Sequence, residues 1–274
     1  MSKDKLNGSF GARGFTLVEM SVVLVVIGVI LGAISIGKDV QRNAEYARIK
    51  QKFIDQWALS YNVYVQRTGY PPGDSQQQPR WMVGGAYYTG SGGVISGGAN
   101  DGALPGSICH NQASTLAVNL RAPIEPNGLG PFDLRELMLK AGVRMPPGRA
   151  EGLEDRYVYL DTNGNPQEIQ VCFQWNRPGS TVSPEGSGNV MVIAGLTPDL
   201  ARALDQMIDG KADALEGVFR QAGVANGVGN VAGVEWSANN TVAMGGGLPG
   251  GQVLGATLDE DQVATVTAVY KMNQ

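Results

Sequence analysis

Charged residues stop at Glu19 and do not resume until Lys38, so Met20 to Gly37 form eighteen consecutive apolar or small positions. That is the length expected of a membrane-spanning helix. At about 1.5 Å per residue, a helix from Phe15 to Gly37 would reach roughly 35 Å, enough to cross a hydrocarbon core with some tilt. Gly28, Gly32 and Gly37 punctuate the run. They read either as hinges or, for Gly28 and Gly32, as a small-residue face for close helix packing.

Beyond Lys38 the pattern becomes amphipathic as far as Gln66. Val40, Ala44, Ala47, Ile54, Ala58, Tyr61 and Val65 follow seven-residue spacing, interrupted at Gln51. A second stripe of Tyr46, Phe53, Trp57 and Tyr64 lies about 100° round the helix. A helix laid on one sheet needs a narrower face, so the pattern predicts two partners: the chain's own globular domain, and either a neighbouring helix or the loops that follow. One broad contact with the domain is the alternative. Thr68-Gly69-Tyr70-Pro71-Pro72-Gly73-Asp74 ends the helix with turn formers.

Downstream, residues 84 to 106 hold nine glycines and read as a long loop with a short strand at Val94-Ile95. Helices are predicted at Asn111 to Arg121, at Asp133-Leu134-Arg135-Glu136 with an end at Gly142, and from Thr197-Pro198-Asp199 through Ile208 with a stop at Gly210. Tyr157 to Leu160 and Ile169 to Trp175, joined by Asp161-Thr162-Asn163-Gly164-Asn165, predict a hairpin. Ile169, Val171, Phe173 and Trp175 share one face of its second strand, and Cys172 points to the other. Val190 to Ala194 and Val263 to Tyr270 are further strands.

Composition narrows the class. The chain has 274 residues, 43% hydrophobic and 17% charged, which fits a helix plus one globular domain. A formal charge of −4 gives no bulk support to nucleic-acid binding. Both cysteines, Cys109 and Cys172, follow the apolar run. An exported domain would meet an oxidising compartment, so one disulfide between them is predicted. Its loop of about 64 residues would stabilise the fold by roughly 4 kcal/mol.

Glu19 breaks the apolar pattern, and a carboxylate there costs about 2.5–3.5 kcal/mol unless it is partnered or interfacial. Arg13-Gly14-Phe15-Thr16-Leu17-Val18-Glu19 resembles the processing site of type IV pilins and the related pseudopilins of type II secretion. The resemblance implies cleavage by a prepilin peptidase between Gly14 and Phe15, N-methylation of the new Phe15 amine, and an assembly ion pair between that amine and Glu19, fifth in the mature chain. An ordinary secretory signal peptide, with a weak cut site at Ala33-Ile34-Ser35, and a plain single-span anchor are the alternatives. Lys3, Lys5 and Arg13 on one flank face Lys38, Arg42, Arg48, Lys50 and Lys52 on the other. A leader-inside orientation therefore rests on the resemblance rather than on charge.

The resemblance also implies an α+β fold: a long N-terminal helix, half transmembrane and half amphipathic, packed on a small antiparallel sheet. The expected divisions are a leader at 1–14, the helix at 15–67 with its membrane segment at 15–37, and a globular domain at 68–274. Removal of the leader would leave 260 residues, long for a major subunit, which favours a minor or specialised pilin. The implied partners are other pilin subunits, the prepilin peptidase, an inner-membrane assembly platform, and the membrane itself before assembly. The chain would end in an extracellular pilus or a periplasmic filament. A pseudopilin of a secretion machine, and a membrane-tethered binding or enzymatic domain that never polymerises, stay open beside the pilin reading.

Elsewhere the chain offers little chemistry. His110 is the only histidine, and with two cysteines it cannot build a standard four-ligand zinc site. Asp161 to Asn165 has the oxygens of a calcium loop, but its glycine falls at the fourth position, so a hairpin turn is the better reading. Asp205, Asp209 and Asp213, and likewise Asp259-Glu260-Asp261, could gather round a cation; solvated helix-end and turn carboxylates are the preferred reading. Gly227-Val228-Gly229-Asn230-Val231-Ala232 matches a dinucleotide fingerprint by letters, without the strand before it or the helix after it. No Gly-x-Ser-x-Gly elbow occurs. The expectation is a structural protein with no cofactor, no metal and no catalytic residue.

Overall fold

A computed structural model describes residues 16–74, 76, 79–88, 94–96, 107–110, 133–176, 188–222, 236 and 265–272. The leader and the Gly14–Phe15 bond lie outside the described residues. So do the helix expected at 111–121, the glycine fingerprint at 227–232, the carboxylates at 259–261 and the first residues of the last strand. By internal contacts the chain divides into two compact units, Met1–Glu45 and Tyr46–Gln274.

The first unit holds most of α1 (Leu17–Ile49). Every described side chain from Leu17 to Val40 is exposed. The helix runs through Gly28, Gly32 and Gly37, and a Cβ at any of the three would meet nothing within 4 Å. It is the one helix among the described residues long and apolar enough to cross a membrane.

In the second unit the helix continues through a π-helical turn, Lys50–Ile54, into α2 (Asp55–Thr68). The turn inserts one residue into the helical phase, so neighbours Phe53 and Ile54 are both fully buried. Tyr46 and Ile49 line the buried face before the turn, Phe53 and Ile54 within it, and Trp57, Tyr61 and Tyr64 after it. The second predicted stripe is therefore the core face. The first stripe splits: Ile54 and Tyr61 are buried, while Val40 and Ala44 are exposed. Gln51, where the seven-residue spacing fails, sits inside the π turn.

The buried face meets two parts of the globular domain, the broad single contact given above as the alternative. Tyr61 stacks on Phe173 with ring centroids 4.9 Å apart, and Phe53 lies 5.3 Å from Tyr157, so one side contacts the sheet. On the other side Trp57 Nε1 donates to the Glu154 carbonyl at 3.1 Å and Ser60 Oγ to the Arg144 carbonyl at 3.1 Å. The loop before the sheet thus completes the domain's contact with the helix. Gly69 closes α2 in the left-handed region (φ 82°), its N–H bonding the Val65 carbonyl.

The main sheet is antiparallel, with strands β3 (Arg156–Leu160), β4 (Pro166–Asn176), β5 (Gly188–Leu196), β6 (Phe219–Gln221) and β7 (Val266–Lys271) in the order β3-β4-β5-β7-β6. A separate ribbon pairs β1 (Ala86–Tyr88) with β2 (Val94–Ser96). It corrects the reading of 84–106 as one loop with a lone strand. Ile169, Val171, Phe173 and Trp175 face the helix and join the main core. Cys172, Val190, Val192 and Val269 form a second apolar cluster on the opposite face, with Cys109 and Ala222.

Two further helices start on the caps that the sequence predicts. In α3 (Leu134–Lys140) the Asp133 side chain accepts from Glu136 N–H; in α4 (Pro198–Asp209) Thr197 accepts from Leu200 N–H, and Gly210 ends the helix in the left-handed region.

Candidate functional site

The N-terminal turn is built by local exchange of hydrogen bonds. Glu19 Oε2 accepts from Thr16 N–H at 2.7 Å and from Thr16 Oγ1 at 2.8 Å, while Glu19 N–H donates to Thr16 Oγ1 at 3.2 Å. This is a capping box: Thr16 caps the helix, and the residue three positions on reaches back. The letters Thr-x-x-Glu are present in the sequence, but the resemblance had given Glu19 a different task. Within the single chain the carboxylate is satisfied by its own helix.

Cys109 and Cys172 are joined in a disulfide, with Cα atoms 4.6 Å apart. The geometry arises from an isolated bridge beside β4, in which Ile108 and Phe173 exchange backbone bonds at 2.7 and 3.0 Å. His110 extends this attachment. Its Nδ1 lies 2.9 Å from Asp133 and its Nε2 lies 2.8 Å from the Gly152 carbonyl. The imidazole thus ties the disulfide segment to the cap of α3 and to the following loop. Among the described residues no group of three or more histidine, cysteine or acidic side chains could hold a metal.

Asp161 holds its hairpin turn. Oδ1 accepts from Asn163 and Asn165 N–H at 2.9 and 2.8 Å, and Oδ2 from Gln167 Nε2 at 3.0 Å. These bonds occupy the carboxylate as a turn residue rather than an ion ligand.

The three aspartates near the end of α4 correct the expectation of solvated carboxylates. Asp205 and Asp213 are buried, and Asp209 is half-buried. Asp205 Oδ2 accepts from Asp213 N–H at 2.6 Å and from Trp236 Nε1 at 2.8 Å. Asp209 Oδ2 accepts from Val218 and Phe219 N–H at 3.0 and 2.9 Å, and Asp213 Oδ1 takes Leu215 N–H at 2.9 Å. The carboxylates accept from backbone N–H groups that no helix or sheet carbonyl takes. That is why they leave solvent.

Asp205 carries a pH signature. Burial pushes its carboxyl up from 3.8 to about 7, with the Asp209 charge adding to the rise and the bonds from Trp236 and Asp213 opposing it. Because the folded state holds this proton more tightly than the unfolded state, the group's stabilisation is present below pH ~3.8 and is lost as pH rises towards about 7. Asp205→Asn keeps an oxygen for both donors without the ionisation. Urea unfolding at pH 4.5 and 7.5 is expected to show that the variant lacks a loss on the order of 2–3 kcal/mol across that interval. An unchanged pH slope in the variant would refute the assignment.

An apolar helix that continues into an amphipathic helix, packed by its second half on a small antiparallel sheet, is consistent with a type IV pilin-like fold. Residues 10–35 match the family model described as the prokaryotic N-terminal methylation motif. The chain thus carries the motif typical of type IV pilin and pseudopilin precursors, which implies a partnership of the pilin and peptidase kind. No curated protein and no solved structure matches the chain.

Proposed function

We propose that the chain is a structural subunit of a type IV pilus filament and not an enzyme. It would be cut by prepilin peptidase between Gly14 and Phe15, methylated on Phe15, and drawn from the inner membrane by an assembly platform into a bundle of N-terminal helices. The supporting observation is that the methylation motif leads directly into a helix whose apolar side chains are exposed, from Leu17 at 86% to Ile36 at 67%. Lipid covers such a surface before assembly and neighbouring copies would cover it afterwards, each square ångström of apolar area contributing about 25 cal/mol.

Glu19 supplies the register. In the precursor its carboxylate is satisfied by Thr16. In the filament it would exchange a neutral donor for the methylated ammonium of a neighbour's Phe15, a charge-assisted bond about twice as strong. Mass spectrometry of the mature N-terminus tests the processing. The expected species begins with N-methylated Phe15; any other start removes the basis of this reading.

A further inference from the structure

The main sheet ends at β6, and the segment that covers this edge hangs on two carboxylates of α4. Val218 and Ala222 bond across to β7, so Phe219 and Gln221 direct their N–H groups outwards. The chain takes both donors itself: Phe219 N–H bonds Asp209 Oδ2 at 2.9 Å, and Gln221 N–H bonds the Ala214 carbonyl at 2.9 Å. Residues 210–218 thus form a strap along the edge. Gly217 (φ 83°) runs so close to Asp209 that a Cβ there would collide with the carboxylate, which also accepts from Val218 N–H at 3.0 Å. One turn earlier, Asp205 Oδ2 holds Asp213 N–H and Trp236 Nε1, and the Trp236 ring lies 5.4 Å from Phe219.

Asp205 Oδ1 is placed differently. It is fully buried, and among the described residues no donor reaches it. The side chain that Asp205 meets is the Asp209 carboxylate, four positions on and on the same helix face. Ionised carboxylates only accept, so two of them bond only through a proton. No described cation takes its place. Lys211 is held by Asp213 and Glu216, each at 2.9 Å, and Arg220 Nε bonds the Gly217 carbonyl at 2.8 Å. On the β7 side Tyr270 feels the charges of Asp209 and of Asp55 in α2, and Asp55 is paired with Lys50 at 2.9 Å.

We infer that Asp205 carries a proton on Oδ1 and donates it to Asp209, and that this single proton latches residues 210–218 and Trp236 over β6, so that its loss lifts the strap and opens the sheet edge. Ionisation of Asp205 would set two negative charges in contact beneath a buried strap. Water relieves that cost, and it reaches the pair when the strap comes away. The coupling has a defined window. With the strap open Asp205 titrates near its ordinary 3.8, and with it closed at about 7. Opening therefore releases a proton between those values, and its equilibrium constant rises by about tenfold per pH unit there and is level above. The seal is tightest in acid and weakest from neutral pH upwards. The device lies within the globular unit and does not depend on how the N-terminus is processed.

Amide hydrogen exchange of the full-length chain in detergent micelles, expressed as protection relative to the unfolded rate at each pH, tests this. Protection of the Val218 and Phe219 amides and of the Trp236 indole N–H should fall by about a hundredfold between pH 5 and 7 and level off above. At pH 7 it should lie below that of Phe173 in the middle of β4. D205N and D209N each give the pair a permanent N–H donor and keep an oxygen for the other donors, so protection in either variant should not change with pH. If one variant fails to fold the other carries the test, and the wild-type chain gives an independent reading. With 13C-labelled aspartate, one carboxyl should show its protonated signal at pH 6 and lose it by pH 8. Protection equal to that of Phe173 throughout, a fall with pH that survives in a folded D205N or D209N, or no protonated aspartate at pH 6 overturns the proposal.

Discussion

Replacing Glu19 by glutamine is expected to leave the N-terminal helix capped and inserted in the membrane but to exclude the chain from filaments. The two roles of this side chain separate cleanly. The capping box needs only an acceptor three residues after Thr16, which glutamine provides. The proposed assembly pair needs a negative charge. In a bundle of apolar helices, loss of the carboxylate strands a neighbour's Phe15 ammonium without a counter-charge, a defect that costs about 3–5 kcal/mol when one partner of a buried pair is removed. At about 1.4 kcal/mol per factor of ten, incorporation should fall on the order of a hundredfold or more. Glu19→Ala loses the same charge and also the side-chain bonds that reach back to Thr16, about 1 kcal/mol further. The measurement is the amount of each variant in sheared filaments relative to the membrane fraction, in cells that also carry wild-type subunits. If the glutamine variant enters filaments as wild type does and only the alanine variant fails, Glu19 acts through its bonds to Thr16 and the ion-pair assignment is wrong.

The parts of the fold that sequence reasoning recovers are those specified over short distances. Thr197-Pro198-Asp199 at one end and Gly210 at the other delimit α4 because cap, fixed φ and left-handed stop are all local properties. The β3–β4 hairpin is equally plain, since alternating residues flank a turn that one aspartate can hold. What escapes is set by non-local pairing. Strand β6 is three residues long and has no alternation to display; it exists because Asp209 and Ala214 close its outer side and β7 its inner side. The burial of Asp205 depends on Asp213 and Trp236, 8 and 31 positions away. Charge read from letters naturally suggests solvent there. The π turn is intermediate. The failure of the stripe at Gln51 marks a phase slip, but a constant 100° per residue hides that both Phe53 and Ile54 turn inwards. At the N-terminal site the letters were sufficient for both readings of Glu19, and only the geometry reveals that the carboxylate is engaged before any partner arrives.

Removing the disulfide is expected to be the most damaging change to the globular unit that leaves its apolar core composition intact. Cys109 and Cys172 are 63 positions apart, and closing a loop of that length stabilises the folded state by about 4 kcal/mol in the chain-entropy model. The bond also anchors what surrounds it. Ile108 is fully buried beside Phe173, Ser107 Oγ donates to Gln174 at 2.8 Å, and His110 reaches Asp133 and Gly152. A chain reduced at Cys109 must hold this segment to the edge of β4 by those contacts alone. The double variant Cys109→Ala with Cys172→Ala should therefore unfold in urea with a loss of about 4 kcal/mol, against domain stabilities of 5–15 kcal/mol. The loss should also register in a probe of Tyr61, whose ring stacks on Phe173, the residue that follows Cys172 on the other face of the sheet. Reduction of the wild-type protein should reproduce the loss without the substitutions. A double variant as stable as the oxidised wild type would mean that the bridge and hydrogen bonds of Ser107–His110 suffice, and that the covalent link only records their proximity.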